Sequence, residues 1–471
     1  QRQMCIRDRL NYSVAELRIM KRFLLATMAL ATVMSVSAGD DTTKKPQIIG
    51  GNFEKWHTAT YGEYSSQEPD GWHSFMSAKP GNKILGNACK NTHTYISKEV
   101  RPGSTGSNSV KLTSGIVKVN AGFIEIEQPA NGTLTTGRLI AGSATANDPK
   151  NNSTSDPSST EKDGAGNPFY APLTARPDSI VAWVKFKQGT LSKENQKYKY
   201  ATISAIIHDN TKYQDPEDKT YNNVVAKAKN AQIESNGFTW QRISIPFDYE
   251  SYKANNVEPH NILITFSTNA EPGVASTDAQ NPDIMFIDDV ELVYNDYYTD
   301  NLVISSNGTA APAQQATITV TKYLDGTYNM MLKNFTFGEG DEALLIGDVT
   351  MSNITGKEEN GAITFETEQD AIITNGGEIA EILEGKIHLK MKGILKDGKL
   401  KALITLEVFG QNIKADFGGY ESGTVGINGI TTSTNSANGA IYDLSGRQLK
   451  TMQKGINIVR GKDGKMIKVM K

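Results

Sequence analysis

The sequence predicts an all-β protein, with a β-sandwich first, a small antiparallel β-barrel second and a short β module at the C-terminus. Apolar residues alternate with period two through most of the chain, and helical periodicity is nearly absent after residue 38. The alternating runs are bounded by Gly, Asn, Asp and Pro, as strands are. At 471 residues the chain is too long for one hydrophobic core. Charged residues make up 21% and the formal net charge is -3, so no global field draws the protein to nucleic acid or anionic lipid.

Taken in order, residues 1–19 show neither period nor motif and read as upstream sequence. From Met20 to Ala38 the pattern is that of a secretory signal peptide: Lys21 and Arg22, an apolar run from Phe23 to Val36, then a small residue at Ala38. That run is shorter than the ~20 residues needed to span a bilayer. An exported protein is expected, in the periplasm, on the outer-membrane surface or outside the cell, with no transmembrane segment in the mature chain. Cleavage after Ala38 leaves Cys89 alone, so no internal disulfide is expected; its surroundings, GNACKNTH, match no nucleophile motif.

Residues 50–295 form the first expected unit. Ile180, Ala182, Val184 and Phe186 take one phase of a strand, and Trp183 takes the other. Ala201, Ile203, Ala205 and Ile207 repeat the pattern, as do Ile243, Ile245 and Phe247, and Ile262, Ile264 and Phe266. Half-apolar strands of this kind bury their faces by packing two sheets together. The polar stretch from Ala144 to Gly166 reads as a long loop inside the unit, and 296–315 as a linker. A second unit over 316–418 has hairpin signals at Asp325-Gly326 and Asp397-Gly398. Ile387, Leu389 and Met391 share a face there, as do Leu400, Ala402, Ile404, Leu406 and Val408, which suits a small closed barrel. Residues 419–439 read as a second linker and 440–471 as the terminal module.

Three resemblances attach to these stretches. NPFYAPLTARPDSIVAWVKFK, TWQRISIPFDY, ILITFSTNAEPG and IDDVELVYN occur in order, and with them residues 50–295 resemble the PCMD family of secreted Bacteroidetes proteins, named for a role in carbohydrate metabolism. That resemblance implies a jelly-roll-like sandwich and a glycan as partner, and it brings no catalytic residues. ITVTKYLDGTYNMMLKNF, LLIGDVTMSNITG and GKLKALITLEVFGQNIKADFG make residues 316–418 similar to calycin-like domains, barrels that often hold apolar ligands. IYDLSGRQL, KGINIV and MIKVMK resemble a type IX secretion sorting module.

Candidate sites follow from strand phase. In a regular strand from Ile284 to Tyr294, Asp288 shares a face with Phe286, Val290 and Leu292 and points toward the core, so a structural or metal-supporting role is expected. Asp289 then points the opposite way, and the two carboxylates cannot flank one glycosidic bond. Trp183, Tyr200, Trp240 and Arg242 all take the non-core phase and are the expected ligand-binding residues, because flat rings offer sugars an apolar platform. The two WH pairs, Trp56-His57 and Trp72-His73, are candidates to approach in space. HExxH, CxxC, P-loop and GxSxG motifs are missing, no cofactor is expected, and no basic-aromatic strip points to nucleic acid. The aliphatic barrel face is expected to be filled by its own side chains, since small barrels have little spare room.

The expected function is non-catalytic carbohydrate binding or envelope association. The alternatives are a glycoside hydrolase acting on polysaccharide, and a carrier of a lipid or other apolar small molecule in the barrel.

Overall fold

The computed structural model describes residues 45–121, 124–337 and 344–421, with the C-terminal pieces 441–442, 448–449, 451–454, 456–460 and 466–470. The upstream segment 1–19, the signal peptide 20–38 and most of the linker 419–439 lie outside the described residues. The fold is all-β and divides into two compact units, one reaching to Asn295 and the other built from the chain after it.

The first unit is a sandwich of two five-stranded sheets. One runs in the order Gln241–Pro246, Ser179–Lys187, Ile284–Val293, Ser109–Thr113, Thr94–Ser97. The other runs Ala171–Pro172, Asn261–Ser267, Ala201–His208, Val224–Ile233, with Thr133–Thr135 added beside Asn261–Ser267. The predicted inward residues meet between them: Ile180, Ala182, Val184 and Phe186 from the first sheet, Ile203, Ala205, Ile262 and Ile264 from the second. This is the expected consequence of strands with one aliphatic face. The stretch 144–166 is more than a loop, since it contains the strand Asn151–Ser155 of a further four-stranded sheet. That strand is short and almost wholly polar, so period-two hydrophobicity could not reveal it.

The strand Ile284–Val293 departs from the regular phase. Met285 and Ile287 face the core before the two aspartates, and Val290 and Leu292 face it after them. Its register with Ser179–Lys187 shifts between Val181 and Trp183, and Asp289 takes a left-handed φ of 43°. A β-bulge therefore absorbs one residue and resets the alternation. Asp288 pairs directly with Trp183 and so lies on the outer face, not toward the core as the uninterrupted alternation implied.

The second unit contains an eight-stranded closed antiparallel barrel. Its strands are Asn295–Ser306, Gln314–Lys322, Thr327–Phe337, Leu344–Glu359, Ala362–Thr374, Lys386–Lys396, Lys399–Val408 and Gln411–Phe417, and the first pairs with the last to close the ring. The stretch read as a linker, 296–315, thus supplies the first barrel strand and the start of the second. Its inward Leu302 and Ile304 flank Val303 in a run of only three aliphatic residues, and the Asn, Asp, Ser and Thr around that run diluted the signal. Two-residue turns join several strands; Asp397 and Gly398 have φ of 52° and 69°, the left-handed pair that an Asp-Gly hairpin signal predicts. The terminal pieces Ile441–Tyr442, Gln448–Leu449, Ile456–Arg460 and Met466–Met470 pair as a small antiparallel sheet.

Candidate functional site

The two ends of the barrel are packed differently. Toward the turns at Asn360-Gly361 and Asp397-Gly398, the interior is filled by Tyr328, Ile354, Phe365, Leu400 and Ala402. The Tyr328 and Phe365 rings meet edge to face with centroids 5.1 Å apart. Gly356 makes room for that plug: a Cβ there would fall 2.8 Å from Tyr328 and 2.9 Å from Ile363. The filled-barrel expectation holds for this half alone.

The other half is hollow. A cavity of about 130 Å³ is lined only by apolar side chains, among them Leu302, Met330, Val349, Leu389, Ile404 and Ala415. A dry cavity of similar size, about 150 Å³, binds a compact aromatic molecule when its walls are Leu, Ile and Phe. The short helix Glu378–Ile382 lies between two strands at this end, and Ile379 and Leu383 turn into the lining. Sequence reasoning missed this helix. The apolar spacing of Ile379, Ile382 and Leu383 in EIAEILEG was the available signal. Phe409 completes the wall from a two-residue turn, where its φ is 50° and that of Gly410 is 70°. A bulky residue in the left-handed region is uncommon, and Asn, Asp or Gly is the usual choice. Here the backbone accepts the cost and the ring joins the cavity wall.

The expected platform of Trp183, Tyr200, Trp240 and Arg242 is not assembled as one surface. Trp183 and Arg242 pair across neighbouring strands of one sheet, while Tyr200 directly precedes Ala201–His208 of the other. The Arg101 guanidinium lies 5.2 Å from the Trp183 ring, and Trp240 packs edge-on against Phe286 at 6.3 Å. Arg242 is half-buried, with its guanidinium 3.6 Å from Glu291. Phase alone placed the indoles outward but could not foresee the cations that settle on aromatic faces.

Asp288 is held by backbone donors. Its two oxygens accept the Arg101 and Asp289 N–H groups, each at 2.9 Å, and burial is the largest influence on its carboxyl, pushed up to about 6. Asp289 pairs with the Arg101 Nε at 2.6 Å. The doublet therefore fastens the 101 segment to the bulge.

The two WH pairs do converge. Asp163 Oδ2 lies 3.4 Å from His73 Nε2 and 3.7 Å from His57 Nε2, with Asp70 3.2 Å from His57 Nδ1. Among the described residues no group of three or more His, Cys, Asp or Glu side chains is placed to hold a metal ion. Cys89 is buried and its thiol is pushed up to about 11 by that burial, which suits an inert core sulfur.

The barrel corresponds to a known class. Residues 295–420 match the calycin-like beta-barrel domain family. No curated protein and no solved structure gives a match to this chain. Among the described residues no helix is long and apolar enough to cross a membrane.

Proposed function

We propose that this chain is an exported, non-catalytic binding protein whose calycin-like barrel takes up a small apolar molecule. The observation that carries the reading is the half-hollow barrel: a cavity of about 130 Å³ with no polar group in its lining. A calycin-like barrel with such an interior fits a small apolar ligand. The walls offer no partner to a carboxylate or ammonium, so a charged group would be buried unpaired at a cost of several kcal/mol. The occupant is therefore neutral, compact and held by contact alone, at roughly 25 cal/mol for each Å² of apolar surface removed from water. Export is supported by the signal-peptide pattern from Met20 to Ala38.

The test is native mass spectrometry of the purified protein, followed by titration with a neutral aromatic fluorophore. Saturable binding that is lost in Ile404→Glu, which places a charge in the wall, supports the reading. A barrel that takes up no apolar probe, or binding that survives Ile404→Glu in the folded protein, removes it.

A further inference from the structure

The outer face of the sheet holding Ala201–His208 and Asn261–Ser267 changes character along its length. At one end Ile206 and Leu263 are buried with Tyr213 and Val224. At the other, the same face carries Thr202 and Ser204 beside Thr265 and Ser267, in direct cross-strand register as Ser204 with Thr265 and Thr202 with Ser267. A groove of about 310 Å³ lies over these four hydroxyls, a size at the low end of small-molecule sites.

The hydroxyl protons are already committed. Thr202 donates to the Asn230 carbonyl at 2.9 Å, Ser204 to Asp215 Oδ2 at 2.8 Å, and Ser267 to the Asn269 carbonyl at 2.9 Å. Thr265 Oγ1 lies 3.2 Å from Thr135 Oγ1, whose own proton goes to the Ile264 carbonyl at 2.8 Å, so Thr265 is the donor of that pair. With their protons used, these hydroxyls can act toward a ligand only as acceptors. Asn131 braces the floor: its Nδ2 donates to Ser267 Oγ at 3.0 Å and to the Asn269 carbonyl at 2.8 Å.

The charges at the groove offset one another. Asp215 is engaged by Ser204, and the exposed Lys229 stands opposite Ser204 on the adjacent strand. Leu139, Ala130 and Pro272 supply apolar wall. An acceptor-rich floor beside an apolar wall selects a molecule with several O–H donors on a rigid frame that also has a C–H face.

We propose that this groove binds a neutral saccharide unit, whose hydroxyls donate to Thr202, Ser204 and Thr265. The site lies within the sandwich unit and is independent of the barrel cavity. It also lies away from the outward indoles, Trp183 and Trp240, which belong to the opposite sheet.

Saturation-transfer difference NMR on the full chain tests it, with glucose, galactose, N-acetylglucosamine and maltose as neutral probes and putrescine as a cationic one. Saturation transfer to at least one sugar is expected, weakened about tenfold in Thr202→Val, which removes an acceptor without changing the side chain's shape, and in Ala144→Trp, which adds bulk to the apolar lining. Ala415→Leu, in the barrel, leaves the sugar signal unchanged. Unfolding temperatures verify that the variants fold, and if Ala144→Trp does not, Thr202→Val decides alone. No transfer to any of the sugars, transfer that survives the groove variants, or stronger transfer to putrescine than to every sugar overturns the proposal.

Discussion

Phe409 exchanges local backbone comfort for a place in the cavity wall. A non-glycine residue held in the left-handed region costs of order 1–3 kcal/mol, least for Asn. Phe409→Asn is therefore expected to stabilise the turn by about 1 kcal/mol and to weaken binding of an apolar probe severalfold. Parallel thermal melts and probe titrations check both halves. Asp288 gives a second single-residue expectation. Its carboxyl, pushed up to about 6 by burial, ordinarily ionises near 3.8, so between these values the folded protein holds a proton that the unfolded chain has lost. The site's contribution to stability is then full below about pH 4 and declines as pH rises through about 6, by roughly 2–3 kcal/mol. Asp288→Asn removes that titration, so the unfolding free energy of the native protein, relative to the variant, should fall between pH 4 and pH 7. Denaturant melts at the two pH values measure it, and a constant difference contradicts it.

The lining of the hollow half is made of large aliphatic and aromatic side chains, with one small residue among the described residues, Ala415, half-buried on Gln411–Phe417. Ala415→Leu fills part of the void, and gains of about 0.5–2 kcal/mol are common for cavity-filling changes. A raised unfolding temperature together with lost probe binding is the expected pair of results. The polar turn around Asp163 makes the complementary case. Burial pushes that carboxyl up, but hydrogen bonds from His73 and Asn167 overcome it and hold the group down at about 2. A depressed folded value means that its stability is present above about pH 4 and lost as pH falls through about 2, roughly 2 kcal/mol in all. Asp163→Asn should accordingly flatten the acid limb of the stability profile, leaving the native protein and the variant alike near pH 2. Elements with aliphatic alternation, such as Lys399–Val408, were legible in the sequence because their period is their packing. Asn151–Ser155 was not, since a wholly polar strand carries no period, and neither was Asn295–Ser306, whose Leu-Val-Ile run is too short to show one.

Across the whole chain, the fold class and the calycin-like barrel could be read from sequence, whereas the places where ligands fit could not. Period-two alternation shows which face of each strand is buried, but not whether eight such faces fill the space between them. The hollow depends on where Tyr328 and Phe365 crowd one end, a fact of volume and register. The four hydroxyls of the sandwich groove were equally silent in the sequence, because Thr202 and Ser204 lie about sixty positions from Thr265 and Ser267 and meet only through strand pairing. The doublet Asp288-Asp289 misled for a related reason: one inserted residue reverses every later side chain, and nothing in the local composition marks the insertion.

The pairing of Leu302–Ser306 with Ile413–Phe417 leaves no free edge on the ring, and it also brings the two ends of the barrel's own chain onto neighbouring strands, with Phe417 beside Leu302. Such a ring has no intrinsic starting point. Rejoining those ends through a short Gly-Ser bridge, and reopening the chain at the exposed Asn360-Gly361 turn, should give a permuted barrel that still folds and still takes up the apolar probe. A permuted chain that recovers strand signal in circular dichroism but loses the probe would show that the hollow, unlike the ring, depends on the order in which its staves are threaded.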